Sequence, residues 1–214
     1  MGLIPDEHKA HIKEELNEKL TGNVKLVMFT QETECPLCKQ TRELVEEIGS
    51  FSDRIEVEIY DFVKDKDKAS IHKVDKVPAI VVLGEKDYGV RFYGLPFGYE
   101  FQTFHEDLIN ISNRNSGFSE EMKSKIKAID KPVHIQVFVT LTCPYCPIVG
   151  GLAHKFAMEN DFITADVVES NEFSQLAIKY AVMGVPKTVI NDKVEFVGAV
   201  PENVFLEHVL SAAR

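Results

Sequence analysis

The chain has 214 residues, 44% hydrophobic and 27% charged, a globular balance that allows one large domain or two of about 100 residues. A formal net charge of −10 at neutral pH argues against a partner whose phosphates must be neutralised, so no nucleic acid is expected. Met1-Gly2-Leu3-Ile4-Pro5-Asp6 lacks the basic start and apolar core of a signal peptide, and Asp6 stands where a myristoylation signal has Ser or Thr. No run approaches the roughly 20 apolar residues of a membrane span, and a cytoplasmic protein without membrane association is expected.

Asp6 to Leu20 reads as a helix, with Ile12, Leu16 and Leu20 on one face and Gly22 ending it. Val24 to Thr30 is an apolar run of strand length, expected to be central and buried. After Cys35 the pattern becomes helical to Gly49, with Pro36 suited to the first helical position. Ile55 to Ile59 alternates as a strand, and Lys64 to Lys73 suggests a short helix over the sheet. Pro78 to Leu83 and Tyr88 to Tyr93 form a predicted antiparallel hairpin, and Phe101, Phe104, Leu108 and Ile111 mark a helix. Asn113-Arg114-Asn115-Ser116-Gly117 is a short polar linker candidate, which sets expected units at residues 1–115 and 116–214.

The same order then repeats. A Ser119-capped helix runs to Ile129, followed by a strand at Val133 to Thr140 and a helix from Pro144. A strand at Phe162 to Val168, a helix at Asn171 to Ala181 and a hairpin of Lys187 to Ile190 with Lys193 to Val197 come next. Pro201 is expected at the first position of the last helix. Each half reads α-β-α-β-α-β-β-α, and such a repeat lets two ambiguous readings support one another.

All four cysteines belong to Cys35-Pro36-Leu37-Cys38 and Cys143-Pro144-Tyr145-Cys146, 108 positions apart. Val77-Pro78 and Val185-Pro186 place a proline 43 residues after the first cysteine of each pair. A strand–loop–helix transition puts Cys35 and Cys143 at a helix N-terminus, where unpaired N–H groups favour a thiolate. These two are assigned as attacking cysteines, and Cys38 and Cys146, about one turn on, as resolving partners. An inert staple is the plain alternative, but a bridge over two residues closes too small a loop to stabilise much. A Cys₄ zinc site is the other, yet such pairs usually lie about 15–20 residues apart, so no metal is expected.

The X-Pro pairs are expected to be cis bonds at the active-site end of the sheet, with Val77, Pro78, Val185 and Pro186 binding substrate; a strand-entry proline is the plainer reading. Pro147, where the first half has Lys39, removes one first-turn donor and could make the two sites unequal.

On these residues the chain resembles the thioredoxin superfamily. The second half is similar to a glutaredoxin through Cys143-Pro144-Tyr145-Cys146, Gly184-Val185-Pro186 and Val194 to Gly198. Two intact C-x-x-C units in one chain resemble the protein disulfide oxidoreductases of thermophilic archaea and bacteria. The resemblance implies an α/β protein of two tandem thioredoxin-like folds, each a central mixed β-sheet flanked by helices. It implies a dithiol–disulfide exchanger that reduces, oxidises or isomerises protein disulfides. Electrons would come from a flavin-dependent thioredoxin reductase, with no cofactor bound to this chain, which has no G-x-G-x-x-G. An electron-transfer arm for a peroxiredoxin is a second enzymatic reading, and a zinc or chaperone module a third.

Thioredoxins usually carry a buried aspartate on the strand before the C-x-x-C, and neither Val24 to Thr30 nor Val133 to Thr140 has an acid. Glu32, Glu34, Glu58 and Asp166 are substitutes, each read as a solvated surface carboxylate outside the catalytic set. Val197-Gly198-Ala199 and Phe92-Tyr93-Gly94 lack the Gly-Gly pair of glutathione-binding glutaredoxins, and Lys76 and Lys187 are the only cations beside the prolines. His134 is read as satisfied or surface-facing. The Cys143/Cys146 pair, nearer the glutaredoxin pattern, is expected to be the more active.

Overall fold

The computed structural model describes residues 2–214 and sets out the predicted order twice. The first half holds α1 (Asp6–Lys19), β1 (Val24–Thr30), α2 (Cys38–Gly49), β2 (Ile55–Asp61), α3 (Lys66–Ile71), β3 (Ala79–Leu83), β4 (Asp87–Tyr93) and α4 (Glu100–Asn113). The second holds α5 (Glu120–Lys127), β5 (Val133–Val139), α6 (Cys146–Glu159), β6 (Ile163–Glu169), α7 (Ser174–Lys179), β7 (Lys187–Ile190), β8 (Val194–Val197) and α8 (Glu202–Ala212). No helix among the described residues is long and apolar enough to cross a membrane.

In each half the strand before the cysteines, β1 or β5, pairs parallel with β2 or β6 and antiparallel with β3 or β7. The parallel pairing needs a crossover, which α2 and α6 supply. The two halves share a single sheet, ordered β2-β1-β3-β4-β6-β5-β7-β8, because β4 pairs parallel with β6 from Val90–Ala165 to Tyr93–Val168. As a result β1, β4, β6 and β5 all run the same way. Cys35 and Cys143 leave the sheet at one edge, four strand spacings or about 19 Å apart.

Side-chain alternation along the strands makes two cores. Leu26, Met28, Ile80, Phe92, Ile135, Val137 and Val167 face the layer of α1, α2, α4, α5, α6 and α8. Val27, Phe29, Val81, Tyr93, Phe138, Val168 and Val189 face the other way, under the short helices α3 and α7. β1 is apolar and buried from Leu26 to Phe29, where both its faces are covered.

Several boundaries differ from expectation for local reasons. Pro36 lies in a turn ahead of α2, whose first residue is Cys38. Pro201 is the N-cap of α8 rather than its first residue. α1 closes at Lys19 before Gly22, and Gly22 instead packs against Ser112, whose hydroxyl accepts from the Gly22 N–H at 2.9 Å. The expected linker is not loose: Ser116 is buried and donates to Glu159 of α6 at 2.5 Å.

The join between halves demands a glycine at position 89. Its φ is +80°, and an added Cβ would stand 2.6 Å from the Ile163 carbonyl oxygen. Gly89→Ala is expected to destabilise the chain by about 2 kcal/mol or more, from left-handed strain plus the clash. Guanidinium titration checks this; an unchanged midpoint would mean that the β4–β6 join tolerates the methyl group.

Candidate active sites

Both C-x-x-C pairs are disulfides, with Cα–Cα separations of 5.4 Å for Cys35–Cys38 and 5.5 Å for Cys143–Cys146. Each pair closes a turn before its helix: the Cys38 N–H donates to the Cys35 carbonyl at 3.3 Å, and the Cys146 N–H to the Cys143 carbonyl at 3.4 Å. Leu37 and Tyr145 are the N-caps, so Cys38 and Cys146 are the first helical residues and the attacking positions lie just outside. This is why Pro36 cannot be helical: the two-residue turn that brings the sulfurs together uses it. The unpaired N–H groups of the first turn still point toward the sulfurs and favour a thiolate there. Cys38 and Cys146 are buried at 2% and 0% exposure, while Cys143 keeps 8% and Cys35 is half-buried.

Val77-Pro78 and Val185-Pro186 are both cis, as expected. Pro78 and Cys35 line one cavity of about 350 Å³. Val185 lines a groove of about 680 Å³ with Thr140, three residues ahead of Cys143. Neither Val77 nor Val185 exchanges a backbone hydrogen bond with another described residue. Their polar groups are free to pair with an extended peptide.

One carboxylate beside the second site was not anticipated. Glu100, the first residue of α4, is 1% exposed, and neither of its oxygens is hydrogen-bonded among the described residues. It lies under the first turns of α6: an added Cβ on Gly150, one turn beyond Cys146, would be 3.6 Å from its Oε2. Burial pushes its carboxyl up to about 8, against the lowering effect of Thr103, with the Asp107 charge raising it further. The signal in the sequence was phase, since Glu100 precedes Phe104 by four residues and so belongs to the apolar stripe of its own helix. The stripe continues with Asp107, whose Oδ2 meets His154 Nδ1 of α6 at 2.6 Å with both side chains buried. Burial raises the Asp107 carboxyl, opposed by His154.

A second acid stands at the first site. Glu172, in the loop before α7, accepts the Leu95 N–H at 2.7 Å and lines the cavity that holds Cys35 and Pro78. Burial lifts it to about 7, the Leu95 N–H pulls it down, and neighbouring Glu169 raises it. Of the four acids weighed from sequence, Glu32 and Glu34 are exposed as expected. Glu58 is half-buried and holds Lys25 at 2.6 Å. Asp166 is a correction, because it is buried, 4% exposed, and binds His134 Nε2 at 2.6 Å. Strand alternation turns it under the sheet's second face. Burial pulls His134 down, but the Asp166 hydrogen bond and charge outweigh it and hold the imidazole above its usual range. His134 is therefore satisfied, as expected. Lys187 is not free to attract an anion either: it is buried, donating to the Tyr180 carbonyl at 2.5 Å and pairing with Glu195 at 2.9 Å.

Vicinal dithiols at helix starts, carried on paired α/β units of this topology, define a class: the thiol–disulfide oxidoreductases of the thioredoxin fold. Residues 133–211 match the family described as Thioredoxin domain. A protein disulfide oxidoreductase from Aeropyrum pernix k1 superposes with a TM-score of 0.92 at 32% identity, over 98% of this chain and 93% of that one. The chain therefore belongs to the protein disulfide oxidoreductase family. It is also 27% identical over 184 residues to an NADH dehydrogenase of Bacillus subtilis. To the F component of the alkyl hydroperoxide reductase of Staphylococcus aureus it is 26% identical over 187 residues. Each match covers 85% of this chain and 34% of the relative, so the chain spans about a third of the length of the curated relatives it matches.

Glu100 links the second site to stability. Its folded carboxyl keeps a proton up to about pH 8, whereas the unfolded one loses it near 4.5. Folding takes up a proton between those values, so stability falls as pH rises through that window. Glu100→Gln is expected to be more stable than the native chain above pH 8, the gap closing toward pH 4.5. Thermal melts across this range check it; parallel curves for the two proteins would show that Glu100 is not buried as an acid.

Proposed function

We propose that this chain is a two-site protein dithiol–disulfide exchanger, made of units 1–115 and 116–214, that reduces, oxidises or isomerises protein disulfides. The observation that carries the reading is the doubled arrangement itself, a C-x-x-C disulfide before each helix and a cis X–Pro with a free backbone after each third helix. Cys35 and Cys143 are the attacking groups, and Val77, Pro78, Val185 and Pro186 receive the substrate backbone. In the reducing direction the Cys143 thiolate attacks one sulfur of a substrate disulfide and expels the other as a thiolate, leaving a mixed disulfide. Cys146 then loses its proton, attacks Cys143 and releases the second substrate thiol. Two electrons pass from the dithiol to the substrate. Cys146 is sealed from solvent, so its proton needs a buried acceptor, and Glu100 under α6 serves in its ionised form, which prevails above about pH 8.

The reducing equivalents are assigned to a flavin-dependent thioredoxin reductase, and the setting to the cytoplasm. A relative whose name is NADH dehydrogenase supports a nicotinamide nucleotide as the ultimate donor. A second reading follows from the match to a component of alkyl hydroperoxide reductase: an electron-transfer arm for a peroxiredoxin. Turnover with a peroxiredoxin but with no other protein disulfide would favour it.

Insulin reduction driven by dithiothreitol should disappear when Cys35 and Cys143 are both replaced by Ser. Cys143→Ser alone should remove more activity than Cys35→Ser, because the second site has the buried acceptor. Glu100→Gln should slow that site on the order of tenfold or more, as expected for loss of a general base. Activity retained in the double Ser variant would sink the exchange reading.

A further inference from the structure

The groove at the first site is built by both halves of the molecule. Cys35, Leu37 and Pro78 form one wall of the 350 Å³ cavity, and Leu141, Asn171 and Glu172 of the second half form the other. We propose that Glu172, delivered by the second half beside Cys35, makes the first site selective for substrate cysteines flanked by a basic side chain. This deepens the exchange reading and rests on it.

The charges lining the groove have one sign: Glu34, Glu169 and Glu172, with no cation among them. Nearby cations are turned away. Lys76 is bound to Asp75 at 2.7 Å, with its ammonium 3.6 Å from the centre of the Tyr93 ring. Lys39, Arg42 and Lys64 line a different groove, which also reaches Cys35. The three acids are not equivalent. Glu169 is committed, one oxygen accepting from Asn171 at 2.8 Å and the other from the Glu172 N–H at 2.7 Å. Glu34 is exposed and screened by water. Glu172 alone is half-buried and incompletely paired. One oxygen takes the Leu95 N–H, while the other has no partner among the described residues and is not sealed off.

A peptide that pairs along Val77 and brings its sulfur to Cys35 has neighbouring side chains inside this groove. Above about pH 7, where Glu172 is ionised, an ammonium or guanidinium there meets an unpaired, partly desolvated carboxylate, where a charge pair is worth more than in open water. A second carboxylate meets repulsion instead. The groove beside Val185 is lined by Ile178, Met183 and small polar residues and contains no carboxylate. In the repeat, Lys64 occupies the position matching Glu172, so the acid belongs to one half and serves the other.

The test uses the full chain with Cys143→Ser and Cys146→Ser, leaving only Cys35 and Cys38 to react. The reduced protein is mixed with short peptides whose cysteine is disulfide-linked to an aromatic thiol and flanked by Lys, Gln or Glu. Each turnover yields peptide thiol, aromatic thiol and the Cys35–Cys38 disulfide, so two electrons and two protons are accounted for and the aromatic thiol is read by absorbance. The Lys peptide should react with a second-order rate constant about fivefold above that of the Gln peptide, with the Glu peptide lowest, as for one partly exposed charge pair. Glu172→Gln keeps an oxygen for the Leu95 N–H and should collapse the three rates together. Glu207→Gln, an exposed change of the same charge on α8, should leave the order intact. Equal rates for the three peptides, or an order that survives Glu172→Gln, overturns this inference alone. No reaction with any peptide overturns exchange at the first site and this inference with it, leaving the second site to the insulin assay.

Discussion

Four residue pairs, Val90–Ala165 to Tyr93–Val168, hold the two halves of the sheet together in parallel register. Two units tethered by a flexible linker would present two independent sites. Here the continuous sheet brings α4 of the first half against α6 of the second. Gly150 and Gly151 face α4: an added Cβ at Gly150 would stand 3.6 Å from Glu100 and 3.7 Å from Thr103, in ordinary contact. The contact carries polar groups as well as apolar ones, since Asp107 and His154 meet with no access to water. A buried pair of this kind is costly to half-remove, which ties the halves together more specifically than apolar packing does. The first half's sequence cannot be understood without the second.

This join also brings two buried or half-buried acids toward the cysteine sites. A resolving thiol buried at 0% exposure cannot give its proton to bulk water directly. Glu100 comes from the first half and lies under the second site's helix, and Glu172 comes from the second half and lies in the first site's groove. Both are raised by burial into the range where a carboxyl can exchange a proton near neutral pH.

The surroundings of the two sites diverge. Around the second, Tyr145, Ile148, Ile178 and Met183 are exposed at 63%, 58%, 78% and 94%. The matching positions around the first are Leu37, Gln40, Ser70 and Asp75. Apolar rims favour apolar segments and charged rims favour charged ones, so a duplicated reaction has acquired two different entrances.

Much of this was legible in the order of residues. The doubled Cys-x-x-Cys, the X-Pro spacing and the alternation of apolar periods pointed to all sixteen elements and to the two cysteine pairs that close as disulfides. These are local signals: a helix stripe, a strand run or a turn depends on residues within a few positions of one another. Glu100, Glu172 and the Asp166–His134 pair were not assigned, although Glu100 was in phase with its helix's apolar face. Whether a carboxylate is solvated or buried depends on what packs over it, and in each case that is chain far away in sequence. Residue order alone specified a duplicated redox unit and its chemistry. The folded chain added that one sheet joins the halves, that Glu100 lies under α6 and that Glu172 lines the groove of Cys35, because parallel pairing of β4 with β6 is a long-range contact with no local signature.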